Sequence, residues 1–376
     1  MAVRVTVLGA GFGGLELSST LSEALGGDVE VTLIEHGEAF VFGFSKLDVM
    51  FGLASLEQVR LPYERFSRPN VRLARETVTA IDPQSRRVTT GAGTYDCDFL
   101  VVALGVGYDL AATPGLAQHG NEFYSVDGAN ALRELLPSFR HGHAIVGVSA
   151  APYKCPPAPS ECALMLHDHL LARGVRQDCS ITLVLPLPSP VPPSPETSKA
   201  LMQAFAERDI RFLPNRRVAS LDARHVATLD DGTELPYDLY FGVPRHRAPA
   251  VVEASGLTVD GWIPVNARTL ETKFANVFAV GDIANTGTPK AGVFAEGAAR
   301  AVASRIIAAA RGASDGSLYS GAGTCYIEFG GGRIGRVDVD FFSGPKPTGH
   351  YYEPAVEQRV HKEEFGASRR ARWFGL

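Results

Sequence analysis

The chain has 376 residues, is 45% hydrophobic and 20% charged, and carries a formal net charge of −5. That length holds two or three domains, and the charge balance excludes a general attraction to nucleic acid or anionic lipid. No apolar run reaches the roughly 18 residues of a membrane-spanning helix, and the opening MAVRVTVLGAG leaves no room for a signal peptide, so a reducing cytoplasm is the expected compartment.

Val3–Leu8 reads as a short β-branched strand ending in GAGFGG, followed by a helix over Leu15–Leu25 and a second strand over Val29–Glu35. This is a βαβ unit with parallel strands. Gly9, Gly11 and Gly14 make a GxGxxG turn between strand and helix. Such glycines allow a tight turn and bring backbone N–H groups up to a pyrophosphate. Glu35 lies 21 residues after Gly14, where a carboxylate accepts hydrogen bonds from a ribose diol. Further strands are predicted at Asp98–Ala103, His143–Gly147, Ser180–Leu185 and Val277–Val280, with a proline-rich loop over Leu185–Pro195 and a glycine-turned hairpin after Ser320.

Two later stretches choose the dinucleotide. VVALGVGYD, with Ala103 and Gly105, and NVFAVGDIA, with Gly281 and Asp282, resemble the later fingerprints of FAD-binding disulfide-reductase-type flavoproteins. The resemblance spans nearly the whole chain and implies FAD, with Asp282 at its ribityl chain. Most members of that superfamily carry a second GxGxxG for NAD(P)H. HAIVGVSAAP stands at that place, with Gly147 kept but Ser149 and Pro152 at the other two positions. Proline offers no N–H, and a side chain at the second position blocks backbone approach. Electrons are therefore expected from a donor other than a nicotinamide.

PYKCPPAPSE, residues 152–161, follows at once and leads into the helical ECALMLHDHLLA. Its prolines stiffen a loop around Cys155. A helix N-terminus and Lys154 beside that thiol favour thiolate, and Glu161 is placed to return to the same pocket as acid or base. The loop resembles the CPP segment of sulfide:quinone oxidoreductases and of the flavoprotein subunit of flavocytochrome c sulfide dehydrogenases. The resemblance implies a second cysteine in GTCYIEFGGG, Cys325, which is 170 residues from Cys155. It also implies Glu161 as the family glutamate, Lys290 near the flavin's pyrimidine edge, and sulfide oxidation through a Cys155–Cys325 pair with electrons passing by FAD to a quinone.

The chain also departs from that family. Glu122–Asn130 holds no third cysteine and Val41–Lys46 holds no cysteine for covalent attachment, so a two-cysteine route with non-covalent FAD is expected. Cys97, Cys162 and Cys179 read as structural, with Cys162 placed to serve as a resolving thiol. His167 and His169 read as packing or surface residues, and His246 is the histidine expected nearest the flavin. Phe40, Phe42, Phe44, Phe341 and Phe342 are candidate walls of a quinone pocket. No Cys/His cluster has metal-ligand spacing. The tail KEEFGASRRARWFGL, basic and aromatic but interrupted by Gly366, reads as a candidate interfacial anchor to the inner face of a membrane.

The fold class expected is α/β: a tandem Rossmann-like flavoprotein with a small C-terminal α+β element. An FAD domain over 1–108 and 240–315 encloses a second domain over 109–239, and 316–376 forms the C-terminal region. Oxidation of another thiol or persulfide with a soluble acceptor, a single-subunit NADH:quinone reductase, and a non-catalytic FAD-binding subunit stay open as alternatives. The oligomeric state is left open.

Overall fold

The computed structural model describes residues 2–313 and 315–376. Strand β1 (Val3–Leu8) turns into helix α1 (Phe12–Leu25), followed by β2 (Val29–Ile34), β3 (Val71–Ala74) and β4 (Phe99–Val102). Then come β5 (Gly142–Val148), α2 (Ala158–Ala172), β6 (Cys179–Val184), β7 (Ile210–Leu213) and β8 (Leu239–Val243). The chain returns through β9 (Val277–Ala279) and α3 (Gly292–Ala310). It continues with β10 (Ala322–Glu328), β11 (Ile334–Asp340), β12 (Thr348–Ala355) and α4 (Gln358–Arg369).

The first parallel sheet has the order β9-β4-β1-β2-β3, and the second, also parallel, β7-β6-β5-β8. Helices on both faces explain the near-continuous apolar strands, in which Val5, Val7, Ile145 and Val146 are all buried. Strand β8 straddles the boundary expected at 239/240 and pairs with β5, so the chain crosses back only after Val243. The C-terminal region is an antiparallel sheet, β10-β11-β12, rather than one hairpin.

At the first turn the glycines have distinct jobs. Gly9 sits at φ +97 with Ala103 against it, and a Cβ on Gly14 would strike the Gly9 carbonyl. Both are forced by close packing of strand and helix. At Gly147 a Cβ would come within 2.5 Å of the Tyr240 hydroxyl, and that hydroxyl donates to the Gly147 carbonyl at 3.3 Å. The glycine retained in the second motif seats a tyrosine of β8.

The tail turns inward. Helix α4 runs straight through Gly366 into a last wide turn at Arg370–Phe374. Trp373 is fully buried, edge-on to Phe12 and Phe40 at 5.6 Å from each. Glu16 of α1 accepts from Arg372 Nε at 2.7 Å, Arg300 Nε at 2.8 Å and Trp373 Nε1 at 3.1 Å. Glu296 of α3 accepts from Arg369 at 2.8 Å. Trp373 and Phe374, which composition left open between an interfacial anchor and a tail packed on the protein, are buried, and Arg372 and Arg369 serve two buried carboxylates. Among the described residues no helix is long and apolar enough to cross a membrane. Trp373→Ala should cost about 3–5 kcal/mol, measured as a shift of the urea-unfolding midpoint at constant slope.

Candidate active site

One cleft of about 480 Å³ collects residues from all three regions: Gly9, Gly11 and Glu35, then Ala103, Gly105, Gly281 and Asp282, then Lys290, Cys155, Glu161 and Cys325. Gly14 packs beneath it. The nucleotide end fits a dinucleotide. A Cβ on Gly11 would meet nothing within 4 Å, so the backbone there is open to the cleft. No side chain caps the N-terminus of α1, leaving its first amides free for phosphate oxygens. Glu35 is oriented by the N–H groups of Ala10 at 2.9 Å and Gly37 at 2.7 Å, one on each oxygen, with lone pairs remaining for ribose hydroxyls. Asp282 follows β9 in a tight turn, facing the same space. These residues, with Ala103 and Gly105, would hold FAD.

The sulfur end is built where the two domains meet. Cys155 N–H donates to the Lys290 carbonyl at 2.7 Å, and its own carbonyl accepts from Ala158 N–H at 2.9 Å and Tyr124 hydroxyl at 3.3 Å. These contacts hold Cys155 at φ +48, a left-handed conformation that costs a non-glycine residue about 1–2 kcal/mol. Cys325 comes from β10, opposite Val337. Both are free thiols. Glu161, in the first turn of α2, is 2% exposed and accepts the Glu328 N–H at 3.0 Å. Helix α2 and strand β10 are thereby pinned together with both cysteines on the cleft wall.

Burial decides the electrostatics. The Cys155 thiol is pushed up by desolvation, then by Glu161 and Cys325, with Lys46 acting the other way. Cys325 is pushed up to about 12 by burial, Glu161 and Asp338. The expected thiolate at Cys155 is thus corrected: a helix N-terminus and a lysine do not outweigh removal from water. Glu161 rises to about 7, through burial first, against the pull of Lys362 and the Glu328 N–H. Lys290 falls to about 8 by burial, opposed by Asp282. Its ammonium donates to the Ala284 carbonyl at 3.0 Å and lies 4.0 Å from the Trp262 ring centre.

Other expectations divide. Phe40 and Phe44 line the cleft, joined by Phe365 and Tyr326. Phe42 is fully buried behind them. Phe341 lines an adjoining apolar cavity beside the proline-rich loop, which shares Cys325 and Lys290 with the cleft, and Phe342 packs on Tyr319 at 5.8 Å. His246 is buried one layer back, edge-on to Tyr108 and Tyr124 at 5.1 and 5.3 Å, and burial holds its ring neutral with a pKa of about 3. Cys97, Cys162 and Cys179 are buried outside the cleft. Lys46, Tyr124 and Lys362 were not anticipated. Lys362, on α4, binds Glu328 at 2.6 Å and reaches the cleft. No local motif marks these three, because each matters only through the fold.

Residues 3–310 match the family model of pyridine nucleotide-disulphide oxidoreductases. The chain is 26% identical to the sulfide-quinone reductase of Aquifex aeolicus over 354 residues, 88% of this chain and 82% of that protein. A type II NADH:quinone oxidoreductase of Staphylococcus epidermidis is 33% identical over 125 residues, 33% of this chain and 31% of that protein. The crystal structure of the Aquifex aeolicus sulfide:quinone oxidoreductase superposes with a TM-score of 0.88 at 23% identity, covering 99% of this chain and 92% of that one.

Glu161 also sets a stability test. In the unfolded chain it ionises near 4.5, in the fold near 7. Below the lower value both states are protonated and nothing is lost. Between the two values the unfolded state ionises first, so stability falls as pH rises. Glu161→Gln should therefore gain on the wild type across this window by about 3 kcal/mol, read from urea unfolding at several pH values.

Proposed function

The chain belongs to the pyridine nucleotide-disulphide oxidoreductase family and is a flavin-dependent oxidoreductase, and we propose that it oxidises sulfide through Cys155 and Cys325 and delivers the electrons to a quinone. The observation that supports this most directly is the meeting of Cys155, Cys325 and Glu161 in the cleft that holds the dinucleotide motif. The name of the Aquifex aeolicus relative, matched over 88% of this chain, points the same way.

Bound non-covalently, FAD would supply the two-electron acceptor for the sulfur chemistry, with a quinone as the final acceptor. In the oxidised protein Cys155 and Cys325 form a disulfide. Hydrosulfide attacks it; one S–S bond forms as one breaks, leaving a persulfide on one cysteine and a thiolate on the other. Joining these two through the added sulfur releases one proton and two electrons. Glu161, with its pKa near 7, takes the proton. Both thiols are half-buried on the cleft wall. Lys290 offers positive charge next to Asp282, at the end expected to accumulate negative charge on reduction. The rings of Phe40, Phe44 and Phe365 offer an apolar slot for a quinone, with the Lys362–Glu328 pair at its end. Tyr240 against Gly147 weighs against NADH as donor.

Anaerobic mixing tests this reading. Sulfide should bleach the flavin band and NADH should not; the reverse result overturns the proposal. Cys155→Ser and Cys325→Ser should each retain flavin but lose reduction by sulfide. If Cys325→Ser is reduced as fast as wild type, the pair is wrong. The rate of flavin reduction should rise with pH through about 7 as Glu161 ionises, and Glu161→Gln should flatten that limb.

A further inference from the structure

Two ammonium groups flank the Cys155 thiol in the cleft. Lys46 comes from a short helix, Ser45–Met50, of the first domain, and Lys154 from the proline loop of the second. Both line the cleft beside Cys155. Lys46 Nζ donates to the Tyr124 carbonyl at 2.6 Å, and the Tyr108 hydroxyl donates to that same carbonyl at 2.7 Å. Lys154 Nζ lies 4.8 Å from the centre of the Tyr108 ring.

Among the described residues the one lysine–carboxylate ion pair is Lys362 with Glu328, so neither ammonium has a carboxylate partner. The acids acting on Lys46 are Glu122 and Asp282. Glu122 is already engaged, accepting from the N–H groups of Tyr124 at 2.7 Å and Ser125 at 2.9 Å and from the Ser125 hydroxyl. Asp282 is the residue assigned to the cofactor. Around Lys154 stand Tyr108, Asp282 and Cys155, with His246 behind, its ring neutral. Lys290, the third cation, is occupied by the Ala284 carbonyl and the Trp262 ring. Burial, and then the charge of Lys154, lower the Lys46 pKa to about 7, while at Lys154 burial is outweighed by Tyr108, Asp282 and Cys155, which hold it charged. An anion bound between the two would keep Lys46 protonated by offsetting both its desolvation and its repulsion by Lys154.

We propose that Lys46 and Lys154 form a binding site for a small monoanion next to Cys155, and that its occupant in turnover is hydrosulfide. The chemistry is specific in kind. The tyrosine rings and prolines around the pair leave an apolar wall that disfavours a large hydrated anion, while the two cations accept a single compact negative charge. A neutral thiol gains nothing from them. The site therefore concentrates the anionic form of the substrate at the sulfur it attacks. This rests on the sulfide reading above.

Thiocyanate, a compact monoanion, is the probe, added to the oxidised flavin-loaded protein. It should perturb the flavin band saturably and compete with sulfide in rapid mixing, raising the half-saturating sulfide concentration without changing the limiting rate. Lys46→Met and Lys154→Met should each weaken thiocyanate binding about tenfold, as expected for loss of one charge-assisted contact, and the arginine variants should recover most of it. Unchanged thiocyanate binding in both methionine variants overturns the site. So does loss of FAD from the methionine variants without any competition by thiocyanate, which would make the cofactor itself the counter-ion. Thiocyanate binding that depends on the lysines in a protein that sulfide cannot reduce keeps the anion site and removes hydrosulfide as its occupant. Reduction by sulfide at unaltered half-saturation in both methionine variants keeps the sulfide reading and removes the site.

Discussion

One backbone hydrogen bond, from Cys155 N–H to the Lys290 carbonyl at 2.7 Å, joins the two halves of the molecule where chemistry is expected. Lys154 and Lys290 pair as a short parallel bridge around it. Each side of the bridge is rigid for its own reason. Prolines fix the loop before α2, and the segment after Asp282 leads directly into α3. The bond therefore sets the position of a thiol from one domain relative to a dinucleotide motif from the other. A side-chain contact would tolerate rotamer change; a main-chain bond between two stiff segments does not.

The nucleotide half of the site was legible in the residues because its logic is local. Gly9, Gly11 and Gly14 are consecutive demands of one turn, and Glu35 closes the neighbouring strand, so spacing along the chain reports spacing in the fold. Asp282 came instead from the resemblance of NVFAVGDIA to a family fingerprint. Cys325 was different. No periodicity connects it to Cys155, and only a family resemblance joined them before the structure placed both on one cleft wall.

What escaped the sequence was set by burial and long-range packing. A thiol beside a lysine and a helix start reads as acidic, yet the surrounding protein removes water and reverses the direction. Trp373 and Phe374, beside three arginines, have the composition of a lipid anchor, yet Glu16 and Glu296, hundreds of residues earlier or on another helix, claim two of them, Arg372 and Arg369. Lys46 and Lys362 carry no motif at all. Strand β8 shifted an expected domain boundary because its apolar run fits either sheet until Tyr240 is seen against Gly147.

The cleft's construction also bears on how the protein is made. Its walls run from Gly9 to Phe365, so a ribosome releasing the chain from its N-terminus completes the nucleotide turn long before the sulfur pocket. Cys155 emerges 170 residues ahead of Cys325, an interval on the order of ten to thirty seconds at ordinary elongation rates. During that interval the thiol lacks the strand that will cover it and is open to cellular disulfides. The prolines that later aim Cys155 hold the young loop out of regular pairing as well, so the site's cover comes from the last part of the chain to be made.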